Sequence, residues 1–156
     1  MAHVHFEVHH EFDAPPRQVW DELVDWKGHE AWIPATTVTV GDGDPTAVGH
    51  EFVARTGVGP LALDDRMRVE RCDWDEATSS GDCRVEKIGP VLEGHAGFTV
   101  EPSSSGARSG SGTSMNWVED VTVPYAPQFT APVLAFLGAQ GFGFGMRKLA
   151  KLLSSR

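Results

Sequence analysis

The sequence predicts an α+β chain: a curved antiparallel sheet of about seven strands wrapped around a long C-terminal helix, with two short helices after the first strand. Three observations predict it. The chain opens on VHFEVHHEF (4–12), which alternates strictly between apolar and polar residues, as a half-buried strand does. Between residues 36 and 123, short alternating runs are separated by turn signals, the pattern of consecutive antiparallel strands. Finally, Pro132 to Ser155 reads as one long helix, spanning roughly 34 Å and alone long enough to cover such a sheet.

Each element has its own signal. In the first strand Val4, Phe6, Val8, His10 and Phe12 share one face, and His5, Glu7, His9 and Glu11 share the other. Asp13 before Ala14, Pro15 and Pro16 marks a capped helix start. Val19, Trp20, Leu23 and Val24 give that helix its apolar side, and Gly28 breaks it. A short second helix carries Trp32 and stops at Pro34. Thr37 to Val40 is a β-branched strand followed by the turn GDGDP (41–45). His50 to Arg55, Asp65 to Trp74, Cys83 to Ile88, His95 to Glu101 and Ser114 to Val123 read as the remaining strands. SSSGARSGSG (103–112) has the composition of a flexible loop.

The closing helix has an unusual face. At about 100° per residue, Gly138, Gly141 and Gly145 form one narrow stripe. Leu134, Leu137, Phe142, Phe144, Leu149 and Leu152 flank it, while Gln140, Arg147 and Lys151 lie opposite. Each mid-helix glycine costs roughly 1 kcal/mol relative to alanine. Two readings of the stripe follow: another part of the chain comes in close, or volume is left open above the helix.

The 156 residues point to a single domain, 1–156, and such a chain buries about 70% of its unfolded surface. The formal net charge of −9 argues against nucleic acid as the main partner. The N-terminus lacks the apolar core of a signal peptide, so a cytoplasmic location is expected. Cys72 and Cys83 are then free thiols, although a bridge across a hairpin is geometrically open to them. The uncharged run from Val121 to Met146 is interrupted by Pro124, Pro127, Pro132 and Gln128. It is read as a loop and a buried amphipathic helix, not a stable membrane insertion.

The order of elements, with APPRQVWDEL (14–23), WIP (32–34), DRMRVERCDWDE (65–76), GHAGFTVEP (94–102) and MNWVEDVTV (115–123), resembles the START-like helix-grip superfamily, also called SRPBCC. The likeness is to its bacterial polyketide cyclase/dehydrase and lipid transport families and covers nearly the whole chain. It implies a helix-grip fold with a cavity between sheet and helix. It also implies that the first and last strands pair. It leaves the chemistry open, because carriers, receptors and cyclases share the fold.

A cavity of that kind is expected to be lined by Phe6, Val8, His10, Phe52, Met67, Val69, Phe98, Trp117 and Phe136, with Gly138, Gly141 and Gly145 beneath and Trp32 at the mouth. Each large apolar residue also fits an ordinary core. His10, Asp65 and Glu119 stand out as polar residues on apolar faces. A buried carboxyl needs a partner or loses its charge. With the first and last strands paired, His10 and Glu119 would be neighbours, either as a structural pair or as a pair that orients a ligand's carbonyl or hydroxyl. In a cyclase, His10, Asp65 or Glu119 would be the general acid or base. A bulge near Asn116 would instead turn Glu119 outward.

Other chemistry is unsupported. His3 and His5, ~6.7 Å apart on a strand, lack the companions of a metal site, so none is expected. There is no G-x-S-x-G, P-loop or dinucleotide fingerprint, and no cofactor is expected. Three functions remain. The first is a binding or transport module for one small hydrophobic molecule, lipid or polyketide-like. The second is a polyketide aromatase/cyclase or dehydratase using the same cavity. The third is an interaction module with a filled cavity.

Overall fold

In a computed structural model, residues 1–103 and 112–155 are described. Strand β1 (Ala2–Phe12) is followed by helix α1 (Pro16–Leu23) and a short 3-10 helix (Lys27–Ala31). Six strands follow: β2 (Thr36–Val40), β3 (Glu51–Thr56), β4 (Leu63–Asp75), β5 (Ser80–Ile88), β6 (Glu93–Ser103) and β7 (Gly112–Val123). Helix α2 (Ala131–Ser154) closes the chain. All seven strands form one antiparallel sheet in the order β1-β7-β6-β5-β4-β3-β2. Only the β1–β7 neighbourhood is non-consecutive, so the sheet is a meander with the first strand added at its far edge. The loop expected at 103–112 lies, apart from its end residues, outside the described residues.

Alternation decides what faces inward. On β5, Cys83 and Val85 are buried, and on β7, Met115, Trp117 and Val121. Helix α1 docks through Trp20, whose ring lies where a side chain on Gly81 would be: a Cβ there would meet Trp20 Cε3 at 2.3 Å. The first turn of α1 differs from expectation. Pro15 is the N-cap, proline also occupies the first turn, and no side-chain hydrogen bond caps the helix. The second helix is 3-10 and ends one residue before Trp32. Cys72 and Cys83 are free thiols that face each other in register across β4 and β5.

Helix α2 is seated unevenly. Gly145, Met146, Leu149 and Leu153 are buried in its C-terminal half. In the N-terminal half Val133, Phe136 and Leu137 are exposed, as is Phe144 further on. Leu137 and Phe144 were expected to flank the buried face. Both are instead more than half exposed. Gln128–Ser154 is long and apolar enough, by length and composition, to cross a membrane. Here its C-terminal half is part of the core.

Candidate ligand cavity

Between the inner face of the sheet and α2 lies a cavity of about 600 Å³, within the range of small-molecule sites. Its walls are mostly apolar and strongly aromatic: Phe6, Trp26, Phe52, Phe98, Trp117 and Phe142 all contribute. These rings hold one another. Trp26 stacks on Phe52 with centroids 4.4 Å apart and planes 7° from parallel. Trp117 stacks on Phe98 at 5.4 Å and on Phe142 at 4.9 Å. Rigid stacked rings keep the volume from collapsing, since each is wedged by the next.

The glycine stripe divides between the two readings. A Cβ on Gly138 would meet the Phe6 ring at 2.5 Å, and one on Gly145 would meet the Trp32 carbonyl oxygen at 3.1 Å. Those two glycines admit close neighbours. A Cβ on Gly141 would meet nothing within 4 Å. Gly138 and Gly141 line the cavity and Gly145 does not.

The opening is marked by residues that both line the cavity and are exposed. These are Leu63 on β4, Tyr125 after β7, and Leu137 on α2, the last 58% exposed. The mouth was expected at Trp32. That side chain is instead 0% exposed, packed between His29 and Trp117 at centroid distances of 4.7 and 6.3 Å. The 3-10 turn points it under the C-terminal half of α2.

One wall is charged. Lys87 on β5 donates to Asp65 Oδ2 on β4 and lies 3.4 Å from Glu119 Oε2 on β7. Among the described residues it also contacts Met67 Sδ at 3.8 Å, a poor acceptor. Trp117 Nε1 donates to Glu119 Oε1 at 3.0 Å. All three charged residues line the cavity. Glu119 is 5% exposed; its strand keeps its parity and the outward turn does not occur. Burial pushes the Glu119 carboxyl up, against the pull of the Lys87 ammonium. Burial alone would depress Lys87, but the charges of Glu119 and Asp65 outweigh it and hold it above the ordinary lysine value. Lys87 therefore stays a cation, shared by two acids.

His10 is elsewhere. In the β1–β7 ladder Phe6, not His10, stands opposite Glu119, and His10 stands opposite Met115. His10 packs on Phe12 at 4.6 Å and is not among the cavity-lining residues. Burial and the nearby Arg147 charge lower its pKa. The expected pair with Glu119 fails on register: four residues along a strand is roughly 13 Å. His29 supplies the imidazole of the cavity wall instead. Its Nε2 donates to the Leu23 carbonyl at 2.7 Å, and burial lowers its pKa to about 4.

Of the other expected lining residues, Phe6, Phe52, Met67, Phe98 and Trp117 face the cavity. Val8 and Val69 are buried in the surrounding core and do not line it. Phe136 is 62% exposed, because two residues of helix separate it by about 200° from Gly138. Lys87 joins them in the wall although the sequence reading does not single it out. The signal was present: Cys83, Val85 and Lys87 alternate on one strand face.

The chain matches the family described as polyketide cyclase/dehydrase and lipid transport over residues 3–154. No curated protein matches it. Among solved structures, it is similar to the Zhui aromatase/cyclase from Streptomyces sp. R1128, with a TM-score of 0.67 and 16% identity over 99% of this chain and 95% of that one. It is also similar to Ara h 8.0201, with a TM-score of 0.61 and 16% identity over 99% of this chain and 100% of that one. At that identity the two structures speak for the fold alone.

Proposed function

The chain belongs to the polyketide cyclase/dehydrase and lipid transport family, and from that premise we propose that it binds one hydrophobic, ring-bearing small molecule between its sheet and α2. The observation that carries this reading is the aromatic-walled cavity of about 600 Å³. Burying an apolar guest there releases about 25 cal/mol per Å² of surface removed from water. The parallel faces of Trp26 and Phe52, and of Trp117 and Phe98, suit a flat guest that extends the stacks. An interaction module with a filled interior fits the observed volume poorly.

The test is a titration with the neutral apolar dye N-phenyl-1-naphthylamine, read by energy transfer from tryptophan. Saturable one-site binding that is lost in Gly141→Trp supports the reading. Absence of saturable binding in the unaltered protein overturns it.

A second reading, the cyclase or dehydratase, is favoured by one observation: two carboxyls and an ammonium meet in the cavity wall. Glu119, with its pKa raised by burial, is suited to hold a proton and pass it to a bound chain. Glu119→Gln should then abolish turnover of a polyketide-like substrate while dye binding persists. In a carrier it should alter neither dye binding nor the fate of the bound molecule.

A further inference from the structure

The chain has two cysteines, and the sheet brings them together. Cys72 on β4 stands directly opposite Cys83 on β5 in the antiparallel ladder. A bulge makes this pairing. Val69 faces Val85, but the next pair is Arg71 with Arg84, so Glu70 and Arg71 share one partner. The extra residue reverses the parity of β4. Met67 and Val69 are buried before the bulge, and Cys72 and Trp74 pack on the same core after it. Unbroken alternation would carry Arg71 inward and Cys72 to the outer face.

The pair meets the geometric demands of a disulfide. Directly opposed residues of an antiparallel ladder have Cα atoms about 4.5–5.5 Å apart, inside the span of about 4.4–6.8 Å that a disulfide bridges. The two thiols are already hydrogen-bonded to each other. That bond, and then burial, raise the Cys83 thiol above its ordinary pKa. Beside them the Arg71 guanidinium meets Asp82 at 3.2 Å and ties the same two strands. The thiols differ in access: Cys83 is 1% exposed, and Cys72 is only half-buried.

We propose that Cys72 and Cys83 form a redox modification site, oxidised by a peroxide to a reversible disulfide that bridges β4 and β5. The roles follow from access. The Cys72 sulfur attacks a peroxide oxygen and the O–O bond breaks. Cys72 becomes a sulfenic acid, and its thiol proton leaves with the departing oxygen as water or an alcohol. The Cys83 sulfur then attacks the Cys72 sulfur. The S–S bond forms, the S–O bond breaks, and the hydroxyl departs with the Cys83 proton as water. Two thiols lose two electrons and the peroxide gains them. Buried and held protonated, Cys83 is a poor first target, and its place against Cys72 makes it the resolving thiol. The assignment is independent of what the cavity holds.

The experiment treats the reduced full chain with a small excess of hydrogen peroxide, then unfolds it in N-ethylmaleimide and reads the intact mass. The expected product is a monomer lighter by two hydrogens, without maleimide, whose peptide map joins Cys72 to Cys83. Dithiothreitol should restore two maleimide adducts. The oxidised protein should melt about 5 °C above the reduced one, since the bond closes a hairpin without strain. Cys83→Ala should halt at the Cys72 sulfenic acid, captured by dimedone, and Cys72→Ala should resist the same dose. The comparison in the unaltered protein stands even if a variant folds poorly. Two maleimide adducts persisting after peroxide would overturn the proposal. So would Cys72 driven to sulfinic acid with Cys83 still alkylated, a disulfide between chains, or an oxidised form that melts below the reduced one.

Discussion

Lys87 Nζ lies 3.4 Å from Glu119 Oε2 across the inner face of the sheet, and the two side chains are 5% and 6% exposed. An ammonium so deep stays charged only because acids surround it. Removing it leaves Asp65 and Glu119 facing each other without a cation.

Lys87→Met should therefore destabilise the protein by about 3–5 kcal/mol. Urea unfolding of the variant checks this. The double variant Lys87→Met/Glu119→Gln should recover part of the loss, because one of the two stranded carboxylates is gone. Equal stability of Lys87→Met and the unaltered protein would contradict the assignment.

The three helix glycines should respond differently to alanine. Gly141→Ala should stabilise by about 1 kcal/mol, since its Cβ meets open space and helix propensity favours alanine. Gly138→Ala should cost stability, because its Cβ would overlap the Phe6 ring. Gly145→Ala should fall between, with the Trp32 carbonyl needing to give by a few tenths of an ångström. Thermal melts of the three variants give the order directly.

Much of the fold was legible because the strands alternate and the turns are marked. The β1–β7 pairing and the long helix follow from pattern and resemblance. The site was only half legible. Asp65 and Glu119 stand out in the sequence as acids on apolar faces, but the cation between them does not, since a lysine near a strand end normally reaches water. His10 was misplaced because face parity tells which side a residue is on, not how far along the ladder it sits. Its inner-face position is real, but β1 and β7 pair in a register that gives Glu119 to Phe6. Trp32 and Phe136 were misplaced by the geometry of a 3-10 turn and of a helix edge, details that periodicity reads poorly.

His29 gives the protein a pH dependence of known sign. Its pKa falls from 6.5 to about 4 on folding. The unfolded chain takes up that proton near the ordinary value, and the folded chain does so only near 4. Its contribution is fully present above pH 6.5 and is lost as pH falls toward 4. The loss amounts to roughly 3 kcal/mol. Stability curves of the unaltered protein and His29→Gln should diverge in slope across that window, the variant being flatter.

Residues inside and outside the cavity should separate in binding. Trp117→Ala removes a wall ring that stacks on both Phe98 and Phe142. It should weaken dye binding by about tenfold. His10→Ala and Phe136→Ser, which do not line the cavity, should leave binding within about twofold. Calorimetric titration of the three variants with N-phenyl-1-naphthylamine distinguishes them.

The most direct measurement is native mass spectrometry of the protein as purified, followed by solvent extraction and identification of what it carries. The account predicts a bound apolar molecule, or an empty protein that takes up one equivalent from a panel of lipids and polycyclic aromatics. An empty spectrum that no member of such a panel changes would contradict it.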